Sequence, residues 1–297
     1  MVDMVDMTPE ERYLDLLKRS LTNMLYLENE ARLIYILHAV VSNAVIDIGT
    51  IRNIERDNHH IMNVLQKRRA EGQIQFIWDY VDVKTGKKKT INLRDATEVA
   101  HTMIGCKRLD NIHHCLDVIR QDRIPGDLME TGVWRGGAVI FMRGYLAAYN
   151  ITDRTVWAAD SFAGLPKPVA PQDTGYDFSA DVHPILAISI EEVRNLFSKY
   201  NLLDDKVQFV KGWFSESLPN LPVKQLALLR LDGDLYQSTR DALVNLYQRV
   251  VPGGFVIIDD YGDFEPCKAA VDEFRGEHNI TETIERIDWT GVFWRKQ

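Results

Sequence analysis

Leu128-Met-Glu-Thr-Gly-Val-Trp-Arg-Gly-Gly137 is an apolar run that ends in an acid and breaks into glycines. A strand of an α/β enzyme opens into a ligand-binding turn in this way. Glycine allows a tight turn and a close approach of backbone to ligand, and the following helix, read over 138–149, offers its unpaired N–H groups there. The spacing is not the G-x-G-x-x-G of a dinucleotide turn. Glu130 precedes Gly132 by two residues and Gly136-Gly137 follows after three more, which fits a pocket for S-adenosylmethionine better than a pyrophosphate cradle.

From residue 127 onward, strand patterns over 127–133, 155–161, 207–210, 226–232, 255–259, 281–287 and 291–295 alternate with helical patterns over 137–149, 190–200, 239–250 and 266–278. Such alternation predicts a mostly parallel sheet covered on both faces. The short connection over 288–290 makes the last two strands an antiparallel pair. A terminal hairpin on a doubly wound sheet marks the class I methyltransferase fold, so the expectation is an α/β, Rossmann-like sheet of seven strands in the order 3-2-1-4-5-7-6. Upstream, Tyr13, Leu14, Leu17 and Leu21, then Leu33, Ile34 and Leu37, recur at helical spacing and predict two or more helices over about 9–65. Alternating apolar and polar residues around Thr85-Gly86 predict a β-hairpin over 78–91. The expected organisation is a mainly helical N-terminal extension, 1–115, with an insertion over about 29–90, followed by a catalytic domain, 116–297.

Composition narrows the partners. A formal charge of −8 and a pI near 5.5 exclude a dominant phosphate-backbone partner, because nucleic-acid binding needs a basic face; a small neutral substrate such as a glycoside or polyol fits. Cys106, Cys115 and Cys267 are odd in number and lack C-x-x-C spacing, which predicts packed thiols in a reducing compartment. No apolar run reaches membrane-spanning length, and residues 1–7 lack the basic start and apolar core of a signal peptide. The expectation is therefore a cytoplasmic enzyme, with the helical N-terminus making a homodimer or higher homo-oligomer plausible.

Ligands of open α/β sheets bind at the carboxyl ends of the strands, and acids stand at four of these ends: Glu130, Asp160, Asp232 and the pair Asp259-Asp260. An acid after the second strand is placed to accept from two ribose hydroxyls, which selects Asp160. Glu130 would work beside it, bonding either a backbone amide of the glycine turn or the amino group of the cofactor. Asp232, Asp259 and Asp260 would converge as three hard oxygen donors without a soft ligand, a set that suits Mg²⁺. Such an ion lowers the pKa of an alcohol and fixes two neighbouring oxygens, and a carboxylate then takes the proton. Trp213 stands where an adenine would lie, to stack on it or to pack in the core. The proline-containing stretch 167–189 is long enough for a lid or for an ordinary surface excursion. His183 within it is an alternative base, and Asp234 and Tyr236 orient substrate or cap a turn.

The chain resembles the macrocin O-methyltransferase family, the magnesium-dependent enzymes that methylate sugar hydroxyls of antibiotics. The resemblance rests on Tyr13-Leu-Asp-Leu-Leu-Lys18, Arg108-Leu-Asp-Asn111, Glu130-Thr-Gly-Val-Trp-Arg-Gly-Gly137, Asp160-Ser-Phe-Ala-Gly-Leu-Pro166, Leu231-Asp-Gly-Asp-Leu-Tyr236 and Ile258-Asp-Asp-Tyr261. It implies a class I fold, S-adenosylmethionine and Mg²⁺, with Asp232, Asp259 and Asp260 as metal ligands and Asp232 also as general base. Glu130, Asp160 and Ser161 fall on cofactor positions. Joined to the reading of the turns, the expected cofactor set is Glu130, Thr131, Gly132, Gly136, Gly137, Asp160, Ser161, Gly212, Trp213 and Asp232. The expected reaction is O-methylation of a sugar hydroxyl in a natural product or glycan, with a phenol or catechol acceptor as the variant and a nicotinamide oxidoreductase as the competing class. The segment 29–90 departs from the family pattern.

Overall fold

The computed structural model describes residues 7–72, 77–81, 85–92 and 99–297. The chain divides into two compact units, 18–107 and a larger one that joins residues up to Leu17 to 108–297. The boundary expected at 115 thus falls earlier, inside the helix Gly105–Gln121. Its buried residues Leu109, Ile112, Leu116 and Ile119 explain the shift. They recur at spacings of three and four, Leu116 and Ile119 line one small cavity with Tyr145 and Leu146 of the helix Gly137–Ala148, and Asp117 accepts the Tyr145 hydroxyl at 2.6 Å, so most of this helix is part of the catalytic core.

In the smaller unit, the helices Leu27–Val41, Ile48–Arg52, Ile54–Asp57 and His59–Glu71 enclose a core of Leu27, Ala31, Ile34, Ile54, Ile61, Met62 and Leu65. The long helical pattern is cut into pieces by short polar side chains. Asp47 accepts from the Thr50 N–H at 2.7 Å and Asn58 from the Ile61 N–H at 3.3 Å, each capping the helix that follows. Strands β1 (Ile77–Val81) and β2 (Lys88–Asn92) form the expected antiparallel hairpin, with Trp78 opposite Ile91.

The larger unit contains a sheet of seven strands: β3 (Asp127–Thr131), β4 (Val156–Asp160), β5 (Val207–Lys211), β6 (Leu226–Leu231), β7 (Val250–Ile258), β8 (Glu285–Arg286) and β9 (Val292–Arg295). Their order is β5-β4-β3-β6-β7-β9-β8. Counted within the sheet, this is the expected 3-2-1-4-5-7-6. The first five strands are parallel and β9 is antiparallel to both β7 and β8. Every residue of β6 is buried, as a central parallel strand covered on both faces requires. The chain leaves β3 toward β4 on one side and β6 toward β7 on the other, so the crevice at the carboxyl ends of β3 and β6 is the switch point where this fold binds ligands.

Two boundaries differ from expectation. Strand β7 begins at Val250 rather than 255, because Pro252-Gly253-Gly254 does not end the strand but makes a bulge within it. Gly253 has φ 85°, and the pairing with β6 jumps between Leu226↔Val250 and Leu228↔Phe255. The preceding helix accordingly stops at Leu246 and closes with the 3-10 turn Tyr247–Arg249. Of the strand read over 281–287, only Glu285–Arg286 pairs, while the Arg275 guanidinium takes the Glu282 carbonyl; this is an edge kept short.

At the switch point the ends of β3 and β6 nearly touch. The Asp232 N–H donates to the Thr131 carbonyl at 2.8 Å, and Gly132, at φ 83°, has no room for a Cβ, which would overlap the Asp232 carbonyl oxygen. Gly132→Ala should therefore cost about 3 kcal/mol or more, read as a lowered urea midpoint; an unchanged midpoint would show that the two strand ends separate freely.

Candidate active site

The glycine turn after β3 folds around the Asp160 carboxylate at the end of β4. One oxygen accepts from the Val133 N–H and the other from the Phe162 N–H, both at 2.7 Å. Burial pushes this carboxyl upward while these two groups and the neighbouring Trp134 N–H hold it down. Ser161 turns its hydroxyl to the Gly164 carbonyl at 2.6 Å, closing the loop after β4. Trp134 and Phe162 take left-handed backbone angles, φ 46° and 54°. For bulky side chains this stores about 1–3 kcal/mol each and persists only where the surroundings over-determine it. Gly136 caps the helix Gly137–Ala148 at φ 83°, a position where a Cβ would press on Val193. Gly212 follows β5, and its N–H donates to the Asp160 carbonyl at 3.0 Å. Trp213 beside it is exposed and so does not pack in the core.

Glu130 stands elsewhere. Of the two roles expected of it, the amide of the glycine turn goes to Asp160, and Glu130, buried on β3, pairs instead with Arg230. Its other oxygen, Oε2, has no hydrogen-bond partner among the described residues, and burial raises its pKa to about 8. Arg230, on the otherwise apolar β6, also donates to Asp232 at 2.8 Å and pairs with Asp259. The second oxygen of Asp259 is held by Arg108, whose Nε reaches Asp288 at 2.9 Å. Asp288 in turn accepts the N–H groups of Thr290 and Gly291 at 3.0 and 2.8 Å, which form the turn before β9.

Asp232, Asp259 and Asp260 come together: one carboxylate oxygen from each lies within 4.8 Å of the others. Asp232 is the accessible member, its side chain 23% exposed, while Asp259 and Asp260 are buried. Burial and the charge of Asp259 raise Asp232 to about 6, against the pull of Arg230. Burial and the charges of Asp234, Asp232 and Asp259 hold Asp260 well above the usual carboxylate range. Its Oδ2 accepts the Asp234 N–H at 3.2 Å, and its buried Oδ1 has no hydrogen-bond partner among the described residues. Three hard oxygen donors, one of them a buried oxygen left without a hydrogen bond among the described residues, fit a divalent cation.

Between β4 and the helix Ile190–Lys199, residues 167–189 cross these strand ends and are fastened along their length. Buried Asp173 accepts the N–H groups of Tyr236 and Gln237 at 2.8 and 3.2 Å, capping the helix Tyr236–Leu246 that follows Asp232. The rings of Tyr176 and Phe178 pack on Phe264, centroids 6.1 and 5.2 Å apart. The Trp134 indole N–H donates to the Ile185 carbonyl at 2.9 Å. His183 lies edge-on to Phe178 at 5.5 Å. Tyr236 turns its hydroxyl to Glu273 at 2.6 Å.

Sequence reading missed Arg230, Asp173 and the indole contact of Trp134. Arg230 carried a signal, since a charge inside a central parallel strand must find partners. Asp173 carried none: the helix it caps begins 63 residues away.

Comparison with known proteins adds an independent line. The macrocin-O-methyltransferase (TylF) family model matches residues 10–296. The chain is 52% identical over 205 residues, 68% of its length and 78% of the relative's, to 8-demethyl-8-(2,3-dimethoxy-alpha-L-rhamnosyl)-tetracenomycin-C 4'-O-methyltransferase of Streptomyces olivaceus. It is 49% identical over 207 residues, 68% and 81% of the two lengths, to mycinamicin III 3''-O-methyltransferase of Micromonospora griseorubida. Among solved structures it is similar to the O-methyltransferase NovP, with 39% identity, a TM-score of 0.75 and coverage of 97% of this chain and 99% of that one.

Leaving several buried carboxylates without their cation is costly. Arg230→Ala should lower the unfolding free energy by about 3–5 kcal/mol, whereas Asp173→Ala, which removes a helix cap, should cost about 1–2 kcal/mol. Urea titrations of both variants compare the two, and equal losses would deny Arg230 its central place.

Proposed function

The chain belongs to the macrocin O-methyltransferase family, and from that premise we propose that it uses S-adenosylmethionine and Mg²⁺ to methylate a sugar hydroxyl of a small natural-product glycoside. It is an O-methyltransferase. The observation that carries the finer reading is the convergence of Asp232, Asp259 and Asp260 at the ends of β6 and β7, one strand over from the glycine turn. The relative named for 4′-O-methylation of a rhamnosyl group supports a sugar acceptor.

Asp232, Asp259 and Asp260 would hold the cation, which when bound supplies Lewis acidity to an alcohol. S-adenosylmethionine supplies the methyl group as a sulfonium. The chain's own tasks are orientation and proton transfer. Asp232 is the accessible carboxylate, so of the three it is the one an acceptor's proton can reach. Asp160, held by the Val133 and Phe162 N–H groups, keeps lone pairs for the ribose, and a cationic amino group beside Oε2 of Glu130 would draw that carboxyl into its ionised, accepting form. Thr131, Gly132, Gly136, Gly137 and Ser161 shape the turns around that pocket, and exposed Trp213 offers a ring face to an adenine. Three free thiols and the exposed apolar side chains Val40, Val45 and Ile48 support a cytoplasmic homo-oligomer.

Calorimetric titration with S-adenosylhomocysteine, with and without Mg²⁺ after chelation, tests this reading. Binding of S-adenosylhomocysteine and a Mg²⁺ event lost in Asp259→Ala are expected; a protein that binds neither would overturn it. Asp160→Ala should weaken S-adenosylhomocysteine binding about ten-fold or more, the loss of a charge-assisted bond pair. Asp232→Asn should lower turnover about a hundred-fold or more while leaving that affinity within about three-fold.

A further inference from the structure

Trp134 is committed at both ends. Its backbone follows Val133, whose N–H bonds the Asp160 carboxylate inside the cofactor turn, and its indole N–H bonds the Ile185 carbonyl, in the 3-10 turn Pro184–Leu186 of the crossing loop. The left-handed backbone at φ 46° aims the side chain out of the turn toward that loop, and the Arg135 guanidinium covers the ring, 4.4 Å from its centroid. The far end of the same loop is held by other means: Asp173 caps the helix after Asp232, and Tyr176 and Phe178 lie on Phe264, which follows Asp260 closely and donates its N–H to the Asp260 carbonyl at 3.0 Å. One anchor therefore stands on the cofactor turn and the others on the strand ends that carry Asp232 and Asp260.

We propose that Trp134 is a positioning residue that ties the crossing loop to the cofactor turn, so that filling the turn fixes the loop face that meets the acceptor. What fills the turn rests on the function proposed above. Ordered binding follows. An acceptor arriving first meets a loop whose Trp134 anchor stands on an unfilled turn, and one arriving after the cofactor meets a wall held firmly at both ends. The side chain supplies a donor that phenylalanine lacks at nearly the same shape, which separates this role from packing.

Hydrogen exchange read by mass spectrometry on the full-length protein, wild type and Trp134→Phe, with and without S-adenosylhomocysteine, tests the proposal. Without ligand, amides of 183–187 should exchange roughly five-fold faster in W134F, the factor that one lost hydrogen bond corresponds to, while 171–176 stay as in the wild type. S-adenosylhomocysteine should slow 183–187 in the wild type and not in W134F, although W134F binds it within about three-fold of the wild-type affinity. Arg135→Ala, which removes the stacked cation and keeps the indole N–H, should exchange as the wild type does. Equal exchange in wild type and W134F, equal protection by the ligand, or loosening of 183–187 by R135A would each overturn the proposal. The wild-type comparison stands even if W134F does not fold: absence of ligand-induced slowing at 183–187 in a wild type that binds S-adenosylhomocysteine overturns it. A wild type that does not bind S-adenosylhomocysteine sinks the functional reading instead, while the ligand-free comparison still decides whether Trp134 holds the loop.

Discussion

A guanidinium buried at the end of a central strand must be surrounded by negative charge, and at Arg230 that charge comes from Glu130 on β3, Asp232 just beyond β6 and Asp259 just beyond β7. Three adjacent strand ends are thereby drawn to one point. Arg108 extends the arrangement through Asp259 to Asp288 and the turn before β9. Two cations serve Glu130, Asp232, Asp259 and Asp288, and Asp234 and Asp260 stand close enough to add their own charge to the same field. Burial first, and then the charge of neighbouring carboxylates, displaces Asp232 and Asp260 upward. A positive charge placed beside such a cluster is favoured.

Much of this was legible before any coordinates. Parallel strands buried on both faces leave apolar runs, which is why β3, β4 and β6 could be located, and the closing hairpin gave away the strand order. Carboxylates at strand ends stood out because ordinary core strands do not finish in acids. Glycines at positive φ, Gly132 and Gly136, were visible as glycines, although the reason for Gly132, the Asp232 backbone pressed against it, was not. What stayed hidden was non-local. Glu130 and Arg230 are 100 residues apart, and nothing in either neighbourhood names the other. For the same reason the glycine-turn amide, one of the two partners expected of Glu130, is held instead by Asp160 from the next strand.

Boundaries failed where one residue type serves two geometries. Pro252-Gly253-Gly254 reads as a turn, and here it is a bulge that lets β7 start early and keep its bonds to the last strand, with the Gly253 N–H donating to the Lys296 carbonyl at 2.7 Å. The domain boundary moved because one helix, Gly105–Gln121, looks like a continuation of the helical N-terminus while its apolar stripe belongs to the core. Hydrophobic spacing reports that a helix has a buried face and is silent about which core takes it.

The crossing loop has a design consequence. Its polar hold on the sheet is concentrated at Asp173 and at the Ile185 carbonyl, and the latter is a backbone atom that any residue supplies, while Tyr176 and Phe178 add an apolar hold on Phe264. Exposed residues between these holds, such as Thr174 and Val182, can change while the holds stay in place. With the loop meeting the acceptor as proposed, recognition could change on a stretch separate from Asp232, Asp259 and Asp260, so that a new acceptor need not be gained by rebuilding the carboxylate cluster.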